Sequence, residues 1–145
     1  MVTFVEASTK SRRTPGVIPL HGEEGFEGMR KAGKLTAEAL DILTEFVEPG
    51  VPTAKLDQIA YEFARDNGAI PATLFYKGYR HSICTSINHV VCHGIPDERG
   101  LREGDIVNVD VTLIVDGWYG DSSRMYPVGQ ISRKAERLIE ITYAG

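Results

Sequence analysis

The sequence predicts a mixed α/β (α+β) domain in which helices cover an antiparallel β-sheet. Two amphipathic helical stretches come first, and a β-rich stretch with a strand–turn–strand pattern around Asp116 and Gly117 follows them. Helices and strands that are segregated along the chain are typical of this class. With 145 residues the chain is most simply one domain, and it is long enough to bury a hydrophobic core.

The composition argues against several classes of protein. Hydrophobic residues make up 42% and charged residues 25%, as in ordinary globular proteins. A net charge of −4 gives no general reason to expect DNA binding, which usually needs a basic face. No apolar run approaches the roughly 18 residues of a membrane helix. The N-terminus lacks the apolar region of a secretory signal, and two cysteines are too few for a disulfide framework. We therefore expect a cytoplasmic protein that binds neither DNA nor membranes.

Residues 1–22 are predicted to be a flexible extension ahead of a folded unit that spans residues 23–145. The extension mixes Ser, Thr, Pro and Gly with a short basic cluster of Lys10, Arg12 and Arg13. Such a segment is most simply a solvated tail, and the alternative is an arm that contacts RNA or the ribosome.

Two helices are predicted next. Between Glu23 and Glu48 one apolar face recurs at three- and four-residue steps, formed by Met29, Ala32, Leu35, Ala39, Leu43 and Phe46. The sequence EPGVP, residues 48–52, ends this helix, because proline cannot continue it. Thr53 can cap a second helix, whose buried stripe is formed by Leu56, Ile59, Ala60 and Phe63.

The second part of the chain is predicted to be β-rich and to end in a helix. Residues 72–94 contain the apolar run HSICTSINHVVCHG, and a polar connection follows. Alternating apolar residues over 107–115 predict a strand, and Asp116-Gly117 predicts a two-residue type I′ turn into a return strand that begins at Trp118. Ser132 can cap a last helix.

This hairpin brings two carboxylates together. The turn places Thr112 opposite Asp121 and Asp110 opposite Ser123, so these four side chains share the face opposite the valine series. The two aspartates become diagonal neighbours whose Cβ atoms are roughly 7–8 Å apart. They repel each other unless a positive charge lies between them, and two divalent metal ions bridged by a carboxylate and a water would fit.

Other interpretations of these residues stay open at this point. The aspartates can be a solvent-facing pair, or a proton-sharing dyad, although the D-T/S-G context of such dyads is absent. His93 follows a β-run and precedes a Gly-Pro loop, a common place for functional side chains, while His81 and His89 have no assigned role. A Cys92–His93 hydrolase pair is disfavoured, because adjacent strand residues point to opposite faces.

At these residues the sequence resembles the bacterial type I methionine aminopeptidases. The matching blocks cover residues 23–142: EGMRKAGKLTAEAL, EPGVPTAKLDQIA, YKGYRHSICTSINHVVCHGIPD, LREGDIVNVDVTLIVDGWYGDSSRMYPVG and AERLIEIT. The blocks VCHGIPD, GDIVNVDVT and GWYGDSS distinguish this family from its prolidase and aminopeptidase P relatives. The resemblance implies the first half of a pita-bread (creatinase/aminopeptidase) fold and an enzyme that removes the initiator methionine from nascent proteins.

The resemblance also implies roles for individual residues. In this family the positions that match Asp110 and Asp121 are ligands of two divalent metal ions, and the second bridges both ions. The position that matches His93 contacts the substrate beside the scissile peptide and stabilises the transition state. Further positions of the family that form the substrate pocket match Tyr76, Tyr79, Cys84 and Thr112. The position that matches Thr112 lies near the bridging water. Two more positions bind a structural Na or K ion in some members: Asn88 and the Val90 carbonyl.

The implied cofactors are two metal ions, for which Co, Mn, Fe and Zn all suit carboxylate and imidazole ligands. They would lower the pKa of a bridging water and polarise the scissile carbonyl. The implied partners are the N-terminal methionine of nascent polypeptides and, further, the ribosome.

The family takes three more ligands, one His and two Glu, from the second half of its fold. After Asp121 this sequence contains no histidine, and its only carboxylates are Glu136 and Glu140 on a predicted helix. We therefore expect a truncated chain that can be inactive alone. The full-length family is monomeric, whereas a dimer of this chain could gather four aspartates and two histidines. The alternative function is a non-catalytic pita-bread module that binds a protein partner or the ribosome; a prolidase-like enzyme would need a different sequence around His93.

Overall fold

The computed structural model describes residues 3–6 and 17–145 of the chain. Six strands and three α-helices follow one another in this part: β1 Thr3–Glu6, β2 Val17–Leu20, α1 Glu23–Leu43, α2 Thr53–Asp66, β3 Ile70–Pro71, β4 Ile83–Ile87, β5 Ile106–Val115, β6 Trp118–Pro127 and α3 Arg133–Ala144. Single 3₁₀ turns lie at Thr44–Phe46 and Tyr76–Gly78. The predicted mixture of helices and antiparallel strands is confirmed.

Strand β5 is the centre of an antiparallel four-stranded sheet. It pairs with β6 along its whole length, and its other edge pairs with β4 and β3. Thr112 lies opposite Asp121 and Asp110 opposite Ser123, so the predicted register is confirmed. The φ angles of Asp116 and Gly117 are +51° and +86°, and positive values at both positions are those of the predicted type I′ turn.

Helices α1 and α2 cover one face of this sheet and leave the other face open. The buried core between them combines helix residues with the alternating residues of β5: Ala32, Ala39, Leu40, Leu43, Leu56, Ala60, Val107, Val109, Val111, Leu113 and Val115. Helix α1 lies directly on β6, where the Thr36 hydroxyl is 3.0 Å from the carbonyl oxygens of Ala32 and Gly120. The Tyr126 hydroxyl donates to the Leu40 carbonyl over 2.6 Å. These contacts hold the hairpin against the helix.

The helix boundaries differ from the predicted ones in two places. Helix α1 ends at Leu43, and the last predicted turn is a 3₁₀ turn. Thr53 is the first residue of α2 and does not cap it. Its hydroxyl instead accepts from the Asp97 amide over 2.9 Å and lies 3.2 Å from the Asp97 carbonyl. The prediction failed because a distant loop uses this side chain. The predicted Ser132 cap of α3 is confirmed, with the Ala135 amide donating over 3.2 Å.

The segment 72–94 is less regular than predicted. Only Ile83–Ile87 is a strand of some length, and turns flank it on both sides. The φ angles of Phe75 and Lys77 are +66° and +47°, which is incompatible with a continuous strand. Cys92 and His93 therefore lie in a loop, so the strand-alternation argument against their pairing does not apply to them.

The N-terminal segment is described only in part. Strands β1 and β2 pair in parallel, with Thr3 opposite Val17. Residues 1–2 and 7–16, including the basic cluster of Lys10, Arg12 and Arg13, lie outside the described residues. The flexible extension and the RNA-contacting arm therefore stay predictions. Across residues 3–6 and 17–145, no helix combines the length and apolar character that crossing a membrane requires.

Removing either of two buried threonine hydroxyls should change the stability of the protein, and in opposite directions. The Thr85 hydroxyl is buried and has no hydrogen-bond partner in the described part of the chain, whereas the buried Thr36 hydroxyl contacts two carbonyls. We expect Thr85→Val to raise the free energy of unfolding by about 1 kcal/mol, because an unsatisfied polar group is removed. Thr36→Val should lower it by about 1–3 kcal/mol. Urea denaturation of both variants checks this, and equal losses of stability would contradict it.

The close approach of α1 to β6 requires glycine at position 120. A Cβ atom there would overlap with the Ala32 carbonyl group, whereas a Cβ atom at Gly33 on the exposed side of α1 would meet nothing within 4 Å. We expect Gly120→Ala to cost about 1–3 kcal/mol of stability through overpacking. The matched variant Gly33→Ala should gain about 0.5–1 kcal/mol from helix propensity. Thermal unfolding measures both, and a stable Gly120→Ala protein would refute the close approach.

Candidate active site

The open face of the sheet is the floor of a cleft of about 620 Å³. The cleft is lined by Thr73, Tyr76, Lys77, Gly78, Tyr79, Cys84, His93, Ile95, Asp110, Thr112 and Asp121. Seven of the nine residues to which the sequence assigns a role are in this group: His93, Asp110, Asp121, Tyr76, Tyr79, Cys84 and Thr112. The structure thus brings together residues from three strands and two loops, while their individual roles stay predictions.

The two aspartates lie on neighbouring strands at the floor of the cleft. Asp110 of β5 is half-buried and Asp121 of β6 is exposed. The Thr112 hydroxyl donates to Asp121 Oδ1 over 2.8 Å and orients that carboxylate. Burial raises the pKa of Asp110, the charge of Asp121 raises it further, and His93 lowers it. Within the described residues neither carboxylate has a salt-bridge partner, so their negative charge is uncompensated.

His93 reaches the cleft from a loop that is tied to β4. Its φ angle is +55°, in the left-handed region. The next residue, Gly94, donates its amide to Ser86 Oγ over 3.1 Å and accepts from the Thr85 amide over 2.8 Å. A Cβ atom at Gly94 would overlap with the Thr85 carbonyl group, so only glycine allows this approach. Cys92 is exposed and is absent from the residues that line the cleft.

Two tyrosines and a cysteine add aromatic and apolar surface to the lining of the cleft. Tyr76 is 65% exposed at the mouth, and the Lys77 ammonium lies 5.4 Å from the centre of its ring. Tyr79 lies deeper, and burial raises the pKa of its hydroxyl. Cys84 is buried beside the floor, opposite Asp110, and burial also raises the pKa of its thiol. The thiol therefore stays protonated and behaves as a small apolar group.

Asn88 and Val90, the positions assigned to a structural Na or K ion, lie outside the cleft lining. Asn88 has a φ angle of +53° and ties its loop to the start of β5. Its side-chain amide donates to Asp105 Oδ1 over 2.7 Å, and its side-chain oxygen accepts from the Ile106 amide over 3.0 Å. The ion-binding role stays a prediction.

Four residues line the cleft without a role assigned from the sequence: Thr73, Lys77, Gly78 and Ile95. Ile95 is 63% exposed and lies two residues after His93, so the only signal for it in the sequence is that it is close to this histidine.

The carboxylates of the cleft are the right type of ligand for a divalent metal ion, but they are too few. Carboxylates with no compensating cation are suitable oxygen ligands. Yet no group of three or more His, Cys, Asp or Glu side chains is arranged to hold a metal ion anywhere in residues 3–6 and 17–145. Glu136 and Glu140 of α3 line a separate pocket beside Pro127 and Ile139. Two aspartates alone are therefore too few donors for a metal site.

Known proteins with similar sequences are metallopeptidases that are about twice as long as this chain. The model of the metallopeptidase family M24 matches residues 27–145. The methionine aminopeptidase of Rickettsia prowazekii is 57% identical over 126 residues, which are 87% of this chain and 49% of that relative. The methionine aminopeptidase of Escherichia coli (strain K12) is 48% identical over 127 residues, 86% of this chain and 48% of that relative. The chain thus spans about half the length of the curated relatives it matches.

Solved structures give the same picture of the fold. The crystal structure of the Rickettsia prowazekii methionine aminopeptidase matches with a TM-score of 0.86, covering 88% of this chain and 51% of that one. Escherichia coli aminopeptidase P, at 21% identity and a TM-score of 0.73, shares the fold. The helix-covered antiparallel sheet is therefore the pita-bread arrangement that the sequence implied. Because both its sequence and its structure match over most of its length, the chain belongs to the metallopeptidase family M24.

Proposed function

We propose that this chain supplies two metal ligands, a substrate-binding histidine and one pocket wall to a methionine aminopeptidase. The reaction is the hydrolytic removal of the N-terminal methionine from nascent polypeptides. The single observation that carries the proposal is the convergence of Asp110, Asp121 and His93 on one cleft, with Tyr79 and Cys84 beside them. The names of relatives at 57% and 48% identity support the choice of substrate.

Asp110 and Asp121 would hold two divalent ions, of which Co, Mn, Fe and Zn are candidates, with the remaining ligands coming from outside these 145 residues or from a second copy of the chain. When bound, such ions supply a water of low pKa and polarise a carbonyl. The uncompensated charge of the two carboxylates supports this assignment, because like charges on one sheet face are otherwise unfavourable.

The other residues of the cleft would handle the peptide. His93 lies close enough to Asp110 to lower its pKa, so an imidazole that contacts a bound amide would do so beside the reacting centre. The Thr112 hydroxyl keeps Asp121 oriented from the adjacent strand. The neutral Cys84 thiol and the Tyr79 ring offer a small, polarizable surface to a methionine thioether.

The setting of the proposal is the cytoplasm, with nascent chains at the ribosome as the source of substrate. We propose a monomer for the complete enzyme and a dimer as the form in which this chain alone could gather further carboxylates. The alternative, a non-catalytic module that binds a protein partner, predicts neither metal binding nor methionine release.

Metal binding by the chain is the first test. We expect calorimetric titration with Mn²⁺ or Co²⁺ to show binding that Asp110→Asn removes, because a ligand is lost. Thr112→Val should weaken binding roughly 10–100-fold, as removal of a group that orients a ligand does. Asp116→Asn, at the exposed hairpin turn, is the matched control and should bind like the unchanged chain. Equal binding by Asp110→Asn and Asp116→Asn would refute the proposed ligand.

Methionine release tests the histidine. With saturating Co²⁺ or Mn²⁺ and a Met-Ala-Ser peptide, His93→Ala should lose roughly 10²–10³-fold in kcat, because a group that stabilises the transition state is gone. Metal affinity should stay the same, since His93 is not a proposed ligand. His89→Ala, in the same exposed loop and away from the cleft lining, is the control. No release by the unchanged chain, together with no metal binding, would mean that these residues are a ligand-incomplete half and that the activity needs the rest of the fold that the longer relatives have.

A further inference from the structure

A chain of three side chains connects helix α2 to the wall of the cleft. Asp57 of α2 is 2.9 Å from His81 Nδ1, and the two side chains are 16% and 30% exposed. The His81 ring meets the Tyr79 ring edge to face, with 5.6 Å between ring centres and 64° between planes. Tyr79 lines the cleft, whereas Asp57 and His81 do not.

The first member of this chain is held rigidly. Asp57 Oδ1 accepts from the amides of Ser82 and Ile83 over 2.6 and 3.1 Å, so this oxygen anchors the start of β4. Its other oxygen is thereby aimed at His81. The Thr73 hydroxyl donates to the His81 carbonyl over 2.9 Å and fixes the backbone from the opposite side.

These contacts determine how the imidazole is oriented. A carboxylate only accepts hydrogen bonds, so Nδ1 of His81 donates to Asp57 whether the imidazole is neutral or charged. The ring plane is therefore set by Asp57, and its packing against Tyr79 follows from it. An edge-to-face pair of this kind favours one relative orientation of the two rings.

The other end of Tyr79 reaches the loop that carries His93. The Tyr79 hydroxyl donates its single proton to the Ile83 carbonyl over 2.9 Å and also lies 3.4 Å from the Gly94 carbonyl, against which it packs. The Tyr79 backbone is closed into the preceding turn by hydrogen bonds to Phe75 and Tyr76 of 2.7 and 2.9 Å. The ring thus spans the space between His81 and the residue after His93.

We propose that His81 is a positioning residue that fixes the Tyr79 ring, which in turn packs against the Gly94 carbonyl of the loop that carries His93. The width of the pocket and the place of His93 then depend on a side chain outside the cleft. The statement that this pocket receives a methionine side chain rests on the proposed function, whereas the positioning of Tyr79 and Gly94 does not.

Two complementary variants separate the contributions of His81. His81→Asn keeps a donor for Asp57 and removes the ring, and His81→Phe keeps a ring and removes the donor. Both should fold, because His81 is partly exposed and the bonds from Asp57 to Ser82 and Ile83 are untouched. His89→Asn, in an exposed loop, is the control.

The primary readout is the NMR spectrum of the whole chain with ¹³C-labelled tyrosine rings and ¹⁵N amides. Tyr79→Phe identifies the Tyr79 signals. We expect both His81 variants to shift or broaden the Tyr79 ring signals and the Gly94 amide, while the amides of Val109 and Val111 in the core strand β5 keep their positions. Unchanged Tyr79 and Gly94 signals in both variants would overturn the proposal. Movement of Val109 and Val111 as large as that of Gly94 would also overturn it, because the effect would then be a general loss of structure.

The second readout is the affinity for L-methionine in the presence of Mn²⁺. The His81 variants should bind about two- to tenfold more weakly, since the ligand must then order Tyr79 itself. If the unchanged chain binds no methionine while the Tyr79 and Gly94 signals respond as expected, the positioning holds and the claim that this chain alone forms a methionine pocket fails. Equal affinity of the unchanged chain and both variants would overturn the part of the proposal that concerns pocket width.

Discussion

The pairing of β5 with β6 is the interaction on which the rest of the molecule depends. Because strand side chains alternate, a slip of one residue would turn the valines of β5 toward the cleft and Asp110 toward the helices. The Asp116-Gly117 turn excludes that slip, since its two positive φ angles close the hairpin at Val115 and Trp118. One local turn thus determines which face of the sheet is a hydrophobic core and which face carries charge.

Helix α1 stabilises this choice from the core side. It can lie directly on β6 only because position 120 has no side chain, and the Thr36 hydroxyl then reaches the Gly120 carbonyl. The Arg124 guanidinium meets Asp41 of α1 over 2.8 Å at the same interface, although such an exposed pair contributes little by itself. Both helices are engaged on one face, so the opposite face, with Asp110, Thr112 and Asp121, stays open as a cleft floor.

The parts of the fold that sequence reasoning predicts are those with local causes. The hairpin register follows from a two-residue turn and alternation, and the Ser132 cap follows from a serine ahead of an amphipathic run. The failures have distant causes. Thr53 does not cap α2 because Asp97, far away in sequence, takes its hydroxyl.

The same limit applies to the site. The proximity of Asp110 and Asp121 can be predicted from the sequence because they share one hairpin. The conformation of the loop around Phe75 and Lys77 cannot be predicted, since a sequence does not show a left-handed backbone at two non-glycine residues. His81 shows no pattern at all, because its contacts with Asp57 and Tyr79 arise only when α2 and β4 are packed together.

The residues of the cleft are held in two different ways. The carboxylates sit on paired strands, where a metal ligand is held to a narrow range of positions by the ladder and by a neighbouring hydroxyl. The groups that would contact a peptide, His93 and Tyr79, sit on loops whose conformation is kept by side-chain hydrogen bonds. Loops tolerate sequence change more readily than paired strands do. Under the proposed function, changes at Tyr79 would alter which peptide fits, changes at His93 would lower the rate, and changes at the two aspartates would remove metal ligands. A residue such as His81, which acts on the loop side from outside the cleft, is therefore placed where selectivity can be adjusted without disturbing the carboxylates.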